Sequence, residues 1–158
     1  MRHSFFEQVS CHSGLCLKYS SITLFQDADI LWFRNPFPSF DTNADFQIAC
    51  DRYNGQPFNI HKNLPNGGFV YVRSNRRTIA MYRYWYEARL RHPGKHDQDV
   101  LNLIFREKAF HRLRVSIRFL DTDYFSGFCQ VSPPFSSKTL ITYFVDYLDG
   151  VLGSFTHY

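Results

Sequence analysis

Apolar residues fall in short runs separated by polar stretches rich in Asn, Gly and Pro, and the spacing within each run predicts its conformation. Ile22 to Gln26 reads as a short buried strand that follows Ser20-Ser21 and ends at Asp27. Leu31, Trp32 and Phe33 carry the apolar character onward until Asn35-Pro36 forces a turn. Phe46 to Cys50 reads as a second buried strand, ending in Asp51, before the polar loop "DRYNGQPFNIHKNLPNGG". The alternation Phe69-Val70-Tyr71-Val72 predicts a third strand, entered through Asn66-Gly67-Gly68, where two glycines permit unusual backbone angles or a close approach.

Ser74 or Asn75 then caps a predicted helix. Ile79, Tyr82, Trp85, Tyr86 and Leu90 recur along it at helical spacing as a core-facing stripe, and His92-Pro93-Gly94 stops it. Val100, Leu103 and Ile104 mark a second helix with Asp97 at the N-cap position, and Val115 to Leu120 a final strand. The tail from Pro133 is apolar and aromatic, which fits a helix or an edge strand covering the core.

Alternating strands and helices define an α/β layer structure, in which ligands sit beyond the carboxyl ends of the strands. Asp27, Asp51, Asn66 and Asp121 all follow such ends. The length of 158 residues fits one domain with a real core. Seventeen Phe and ten Tyr against two Met make large rings the main packing material.

The net charge of +4 is modest. Basic residues are scattered in pairs such as Arg76-Arg77 and Arg112-Arg114, which suits the phosphates of one nucleotide and argues against a nucleic-acid partner. Cys11, Cys16, Cys50 and Cys129 lack the paired spacing of a zinc site, and Cys50 reads as a buried free thiol. The opening "MRHSFFEQVSCHSGLCLKYSS" is interrupted by Glu7, Gln8, Ser10, His12 and Ser13 and does not read as a signal peptide. No window reaches the roughly 18 apolar residues of a transmembrane segment, so the chain reads as soluble.

Asp27 and Asp29 stand inside the most hydrophobic segment, "ITLFQDADILWFRNPFP". Removing a carboxylate from water costs several kcal/mol unless it is paired, hydrogen-bonded or bound to a cation. Two hard oxygen donors one residue apart can share one divalent cation, Mn2+ or Mg2+, with positions left for a diphosphate. "IRFLDTDYF" offers a rival pair, Asp121 and Asp123, and pattern alone does not choose between them.

"KHDQDVLN" gathers His96, Asp97, Gln98 and Asp99 at a helix start. Asp97 fits a plain cap, and equally a carboxylate that hydrogen-bonds sugar hydroxyls and stabilises positive charge at an anomeric carbon. "PNGGFVYV" fits a turn into a strand; alternatively Asn66 holds a ligand while Gly67 and Gly68 let the backbone approach it. It lacks the spacing of a phosphate loop.

Five segments in order, "DADILWFRNPF", "DFQIACDRYNG", "PNGGFVYVRSN", "WYEARLRHPGKHDQDVLN" and "IRFLDTDYFSGFC", resemble the plant nucleotide-diphospho-sugar transferase domain of glycosyltransferase family 77. The resemblance runs from about Ile22 to Cys129. It implies a glycosyltransferase A-type fold, a mixed α/β sheet flanked by helices, with Asp27 and Asp29 as the Asp-x-Asp motif that binds the metal and the donor diphosphate. Asp121 and Asp123 then fall to a structural role. It further implies that Asn66, Gly67, Gly68 and Gln98 hold the donor sugar and that Asp97 is the catalytic carboxylate at the anomeric centre. The implied partners are a nucleotide-sugar donor, a UDP-sugar, and a cell-wall polysaccharide or glycoprotein acceptor, with a role in the Golgi.

Family members also carry a long N-terminal half, usually with a membrane anchor, and a His- and Cys-containing segment after the position of Cys129. The resemblance therefore divides the chain into a non-matching segment 1–21, a partial transferase domain 22–129 that is incomplete at its N-terminus, and a divergent tail 130–158. His157 is not a substitute ligand. The alternative to an active transferase is a truncated, inactive remnant that serves as an interaction module.

Overall fold

The computed structural model describes residues 21–28, 30–127 and 139–143. Asp29, Cys11, Cys16, Cys129, His157 and most of the tail lie outside the described residues. The main sheet has the order β1-β4-β3-β5, built from β1 (Ile22–Gln26), β3 (Phe46–Arg52), β4 (Leu64–Arg73) and β5 (Ile117–Phe119). β4 runs antiparallel to both β1 and β3, and β5 runs parallel to β3. β1, β3 and β5 therefore end on the same edge, where the N-terminal part of β4 begins. A small sheet of order β2-β7-β6 joins β2 (Ile30–Trp32), β6 (Phe125–Gly127) and β7 (Ile141–Tyr143).

The period-2 alternation of the strands sorts their side chains into two cores. Phe46, Ile48, Cys50, Val70 and Val72 face helices α1 (Arg76–Arg91) and α2 (Asp97–Ile104), meeting Met81, Tyr82, Trp85, Val100, Leu101 and Ile104. The alternate residues Ala49 and Phe69 face the other way and pack with Ile30, Leu120 and Phe125. Cys50 is buried, and the pKa of its thiol is pushed far up, first by desolvation and then by the charges of Asp51 and Asp121. A short helix, α3 (Lys108–His111), places Phe110 into the helix-side core.

A buried carboxylate anchors the sheet end opposite the Asp27 edge. Asp45 accepts from Arg77 Nε at 2.9 Å and Nη2 at 2.8 Å, from Asn75 Nδ2 at 2.7 Å and from the Ser116 N–H at 3.0 Å. These bonds tie the start of β3 to the first turn of α1 and to the approach to β5. Asn75 also caps α1, forming a reciprocal capping box with Thr78.

Several sequence expectations need correction. β1 is a half-exposed edge strand, with Ile22 50% exposed, because among the described residues β4 is its one neighbour. The apolar character of Leu31-Trp32-Phe33 belongs to a separate strand, β2, which pairs with β7 in the other sheet. The third strand begins at Leu64, so Asn66, Gly67 and Gly68 lie within β4, not in a turn before it. The register there jumps from Ile48 opposite Val70 to Ala49 opposite Asn66, displacing residues 67–69 from the ladder with β3. His96, not Asp97, is the N-cap of α2, and Asp97 is its first helical residue. Leu90 is 74% exposed; the buried stripe of α1 is Thr78, Met81, Tyr82, Trp85 and Ala88. The tail residues Ile141–Tyr143 form the central strand of the small sheet, not an edge.

Candidate functional site

The turn between β1 and β2 explains how a carboxylate enters an apolar segment. The Asp27 N–H donates to the Gly68 carbonyl at 2.9 Å, extending the β1–β4 ladder by one step. Trp32 Nε1 then donates to Gln26 Oε1 at 2.8 Å and closes the turn from behind. Asp27 is left exposed at the strand end.

Gly68 lies directly under that carboxylate. A Cβ on Gly68 would sit 3.1 Å from Asp27 Oδ2 and 2.9 Å from Asn66 Oδ1. Neither Gly67 nor Gly68 has a positive φ, so close approach, not backbone freedom, is what requires glycine at Gly68. At Gly67 the nearest atom to an added Cβ is Gln98 Oε1 at 4.0 Å.

α2 delivers its first turn to the same place. Gln98 Oε1 accepts from the Gly67 N–H at 3.0 Å, and Gln98 Nε2 donates to Asp51 Oδ2 at 2.8 Å. Asn66 Nδ2 donates to Asp51 Oδ1 at 2.7 Å, while Asn66 Oδ1 accepts from the Gly68 N–H at 2.7 Å. Asp27 just past β1, Asp51 near the end of β3 and Asn66 near the start of β4 thus share one edge with Gly67, Gly68 and Gln98.

Asp97 lies beside this group and is 6% exposed. Its Oδ1 accepts from the Gln98 N–H at 2.7 Å and lies 2.7 Å from His96 Nδ1, while the buried Oδ2 has no hydrogen-bond partner among the described residues. Trp85 Nε1 fixes the backbone here by donating to the Asp97 carbonyl at 3.1 Å. Desolvation raises the Asp97 pKa above its ordinary value, against the opposing pull of the His96 charge and of nearby N–H groups.

Of the residues singled out from sequence, Asp27, Asn66, Gly67, Gly68, Asp97 and Gln98 gather at this edge, and Asp29 lies outside the described residues. The sequence pattern sets Asp51 at a strand end and points to no role for it. Its two partners stand 15 and 47 residues away, and no local motif announces such a contact. The rival pair differs in kind: Asp121 Oδ1 accepts from the Asp123 N–H at 2.9 Å, a local turn bond.

Among the described residues no group of three His, Cys, Asp or Glu side chains gathers as a metal centre. Asp27 is a hard, exposed oxygen donor at the mouth of the site. That chemistry fits a Mn2+ or Mg2+ ion completed by water and by a ligand's own oxygens.

A mixed sheet with helices on one face and a polar cluster at one edge defines an α/β protein. A family model described as nucleotide-diphospho-sugar transferase matches residues 17–145, and the chain belongs to that family. It is 52% identical over 100 residues to uncharacterized protein At4g15970 of Arabidopsis thaliana, covering 63% of this chain and 27% of that protein. It is 38% identical over 118 residues to uncharacterized protein At1g28695 of the same plant, covering 75% of this chain and 34% of that protein. The beta-arabinofuranosyltransferase RAY1 of Arabidopsis thaliana is 39% identical over 67 residues, covering 40% of this chain and 12% of that protein. The chain thus spans about a quarter to a third of the first two relatives' length. The crystal structure of a glycosyltransferase involved in glycosylation of the major capsid of PBCV-1 shares the fold. Its TM-score is 0.58 at 16% identity, over 87% of this chain and 68% of that one. No helix among the described residues is long and apolar enough to cross a membrane.

Proposed function

We propose that the strand-end cluster is the donor site of a nucleotide-sugar glycosyltransferase. Asp27 and Asp29 would hold a divalent cation, Mn2+ or Mg2+, that supplies positive charge for the diphosphate of a UDP-sugar. Asn66, Gly67, Gly68 and Gln98 form the wall that meets the sugar, and Asp97 faces the anomeric centre. The observation that carries this reading is the closeness of Asp27 Oδ2 to Gly68, 3.1 Å from a would-be Cβ, which sets an exposed carboxylate against bare backbone.

In the transfer, the bond between the anomeric carbon and the diphosphate oxygen breaks and its electron pair leaves with the diphosphate. The acceptor hydroxyl oxygen forms the new bond, and its proton passes to phosphate or solvent. A bound cation would neutralise charge on the departing diphosphate. Asp97, desolvated on one oxygen, attracts positive charge at the sugar carbon more strongly than a hydrated carboxylate would. The similarity to a protein named a beta-arabinofuranosyltransferase supports a glycosyl donor; a glycan or glycoprotein acceptor and a Golgi setting are proposed on the resemblance alone.

Calorimetric titration with UDP, with and without Mn2+, tests the reading. Binding is expected only with the metal, and Asp27→Ala and Asp29→Ala each weaken it at least about tenfold, the loss of one charge-assisted contact. Unchanged binding in both variants, or no binding to a cooperatively folded chain, overturns it and favours the inactive remnant.

A further inference from the structure

We propose that Asp51 is a positioning residue that dictates which way the Asn66 and Gln98 amides face, and thereby what this wall offers a donor sugar. The proposal rests on the donor-site reading above and adds to it a residue and a polarity.

The argument is one of matching donors to acceptors. An ionised carboxylate only accepts hydrogen bonds, and a backbone N–H only donates. Asp51 takes an N–H from Asn66 at one oxygen, at 2.7 Å, and from Gln98 at the other, at 2.8 Å. The two amide oxygens are then turned to the N–H groups of Gly68 and Gly67, at 2.7 Å and 3.0 Å. Turning either amide over would set its NH2 group against a glycine N–H and its oxygen against a carboxylate oxygen, two mismatches at once. Asp51 therefore locks both amides in one orientation. The lock also holds the displaced segment of β4 to the first turn of α2.

Each amide nitrogen gives one of its two N–H groups to Asp51, and among the described residues the second has no acceptor. The wall consequently carries a pair of N–H donors of fixed orientation. The ligand groups they suit are oxygen acceptors, such as the hydroxyls of a sugar, and a cationic or purely apolar substituent is disfavoured there.

Asp51→Asn keeps the shape but replaces one acceptor oxygen by an NH2 group, so one of the two amides meets a donor. Adding Gln98→Glu to it restores the match, because the new amide N–H finds a carboxylate whose other oxygen still accepts from Gly67, and the net charge is that of the wild type. Hydrogen exchange at the Gly67 and Gly68 amides reads the lock without any ligand. Protection is expected to fall at least about tenfold in Asp51→Asn at one or both glycines, and to return in the double variant. Titration with UDP and with UDP-glucose, each with Mn2+, reads its consequence. In Asp51→Asn the extra affinity of UDP-glucose over UDP is expected to be lost while UDP itself binds as before.

Unchanged glycine protection in Asp51→Asn overturns the proposal. So does an equal loss of UDP and UDP-glucose affinity with a lowered Tm, which would make Asp51 a general structural support. A wild-type chain that binds neither nucleotide defeats the donor-site reading, and the exchange pattern then still decides whether Asp51 locks the amides.

Discussion

Two adjacent glycines in β4 carry different constraints, which can be separated by adding one carbon to each. Gly68→Ala drives a methyl group to 2.9 Å from Asn66 Oδ1 and 3.1 Å from Asp27 Oδ2, so both side chains must shift. It is expected to cost about 1–3 kcal/mol of stability and to weaken UDP binding with Mn2+ about tenfold or more, by urea unfolding and calorimetry. Gly67→Ala meets nothing closer than 4.0 Å, and its effect on stability is expected within about 1 kcal/mol. Equal effects from the two would show that close approach at Gly68 is not the constraint. Asp97 gives a pH signature. Its folded-state pKa lies above the ordinary value of 3.8, so the fold favours the protonated form. The contribution of Asp97 to stability is then fully present below pH 3.8 and is lost as pH rises through the folded value. Urea unfolding across that range is expected to show wild type losing stability relative to Asp97→Asn as pH rises. A constant difference between the two would mean that the carboxyl is not desolvated.

At the scale of elements, what was legible had a local cause. β1, the start of β3 and both long helices announced themselves by apolar spacing and by caps such as Asn75. The first half of β4 did not, because Pro65, Asn66, Gly67 and Gly68 are residues of turns, and here pairing with β3 and the extension of β1 overrides that preference. Leu90 looked like core because its spacing from Tyr86 is helical, yet the helix buries the neighbouring stripe through Trp85 and Ala88 and leaves Leu90 to water. The change of sheet between β1 and β2 was hidden by continuous hydrophobicity on both sides of Asp27: each strand needs apolar partners, and the sequence does not say that they are different partners.

For the molecule as a whole, strand polarity did most to make the site readable, since three parallel strand ends must share an edge and Asp27, Asp51 and Asp121 lie at or just beyond them. The bonds across that edge were not readable, because Asp51 meets Asn66 and Gln98 only after β3, β4 and α2 have assembled. That assembly divides the site unevenly. Asn66, Asp51 and Gln98 are held among β3, β4 and α2, whereas Asp27 depends on β1, an edge strand with a single described neighbour and a half-exposed face. Edge strands with few buried contacts open at lower free energy than the centre of a sheet. Without ligand, amide exchange is expected to be faster along Ile22–Gln26 than along Phe46–Cys50, and a bound UDP and Mn2+ should slow the former more than the latter. Equal protection of the two strands would contradict this. On the donor-site proposal, the faster opening of β1 makes the cation end of the site a hinged clasp on a fixed seat, fastened by the ligand it holds and loosened when the products leave.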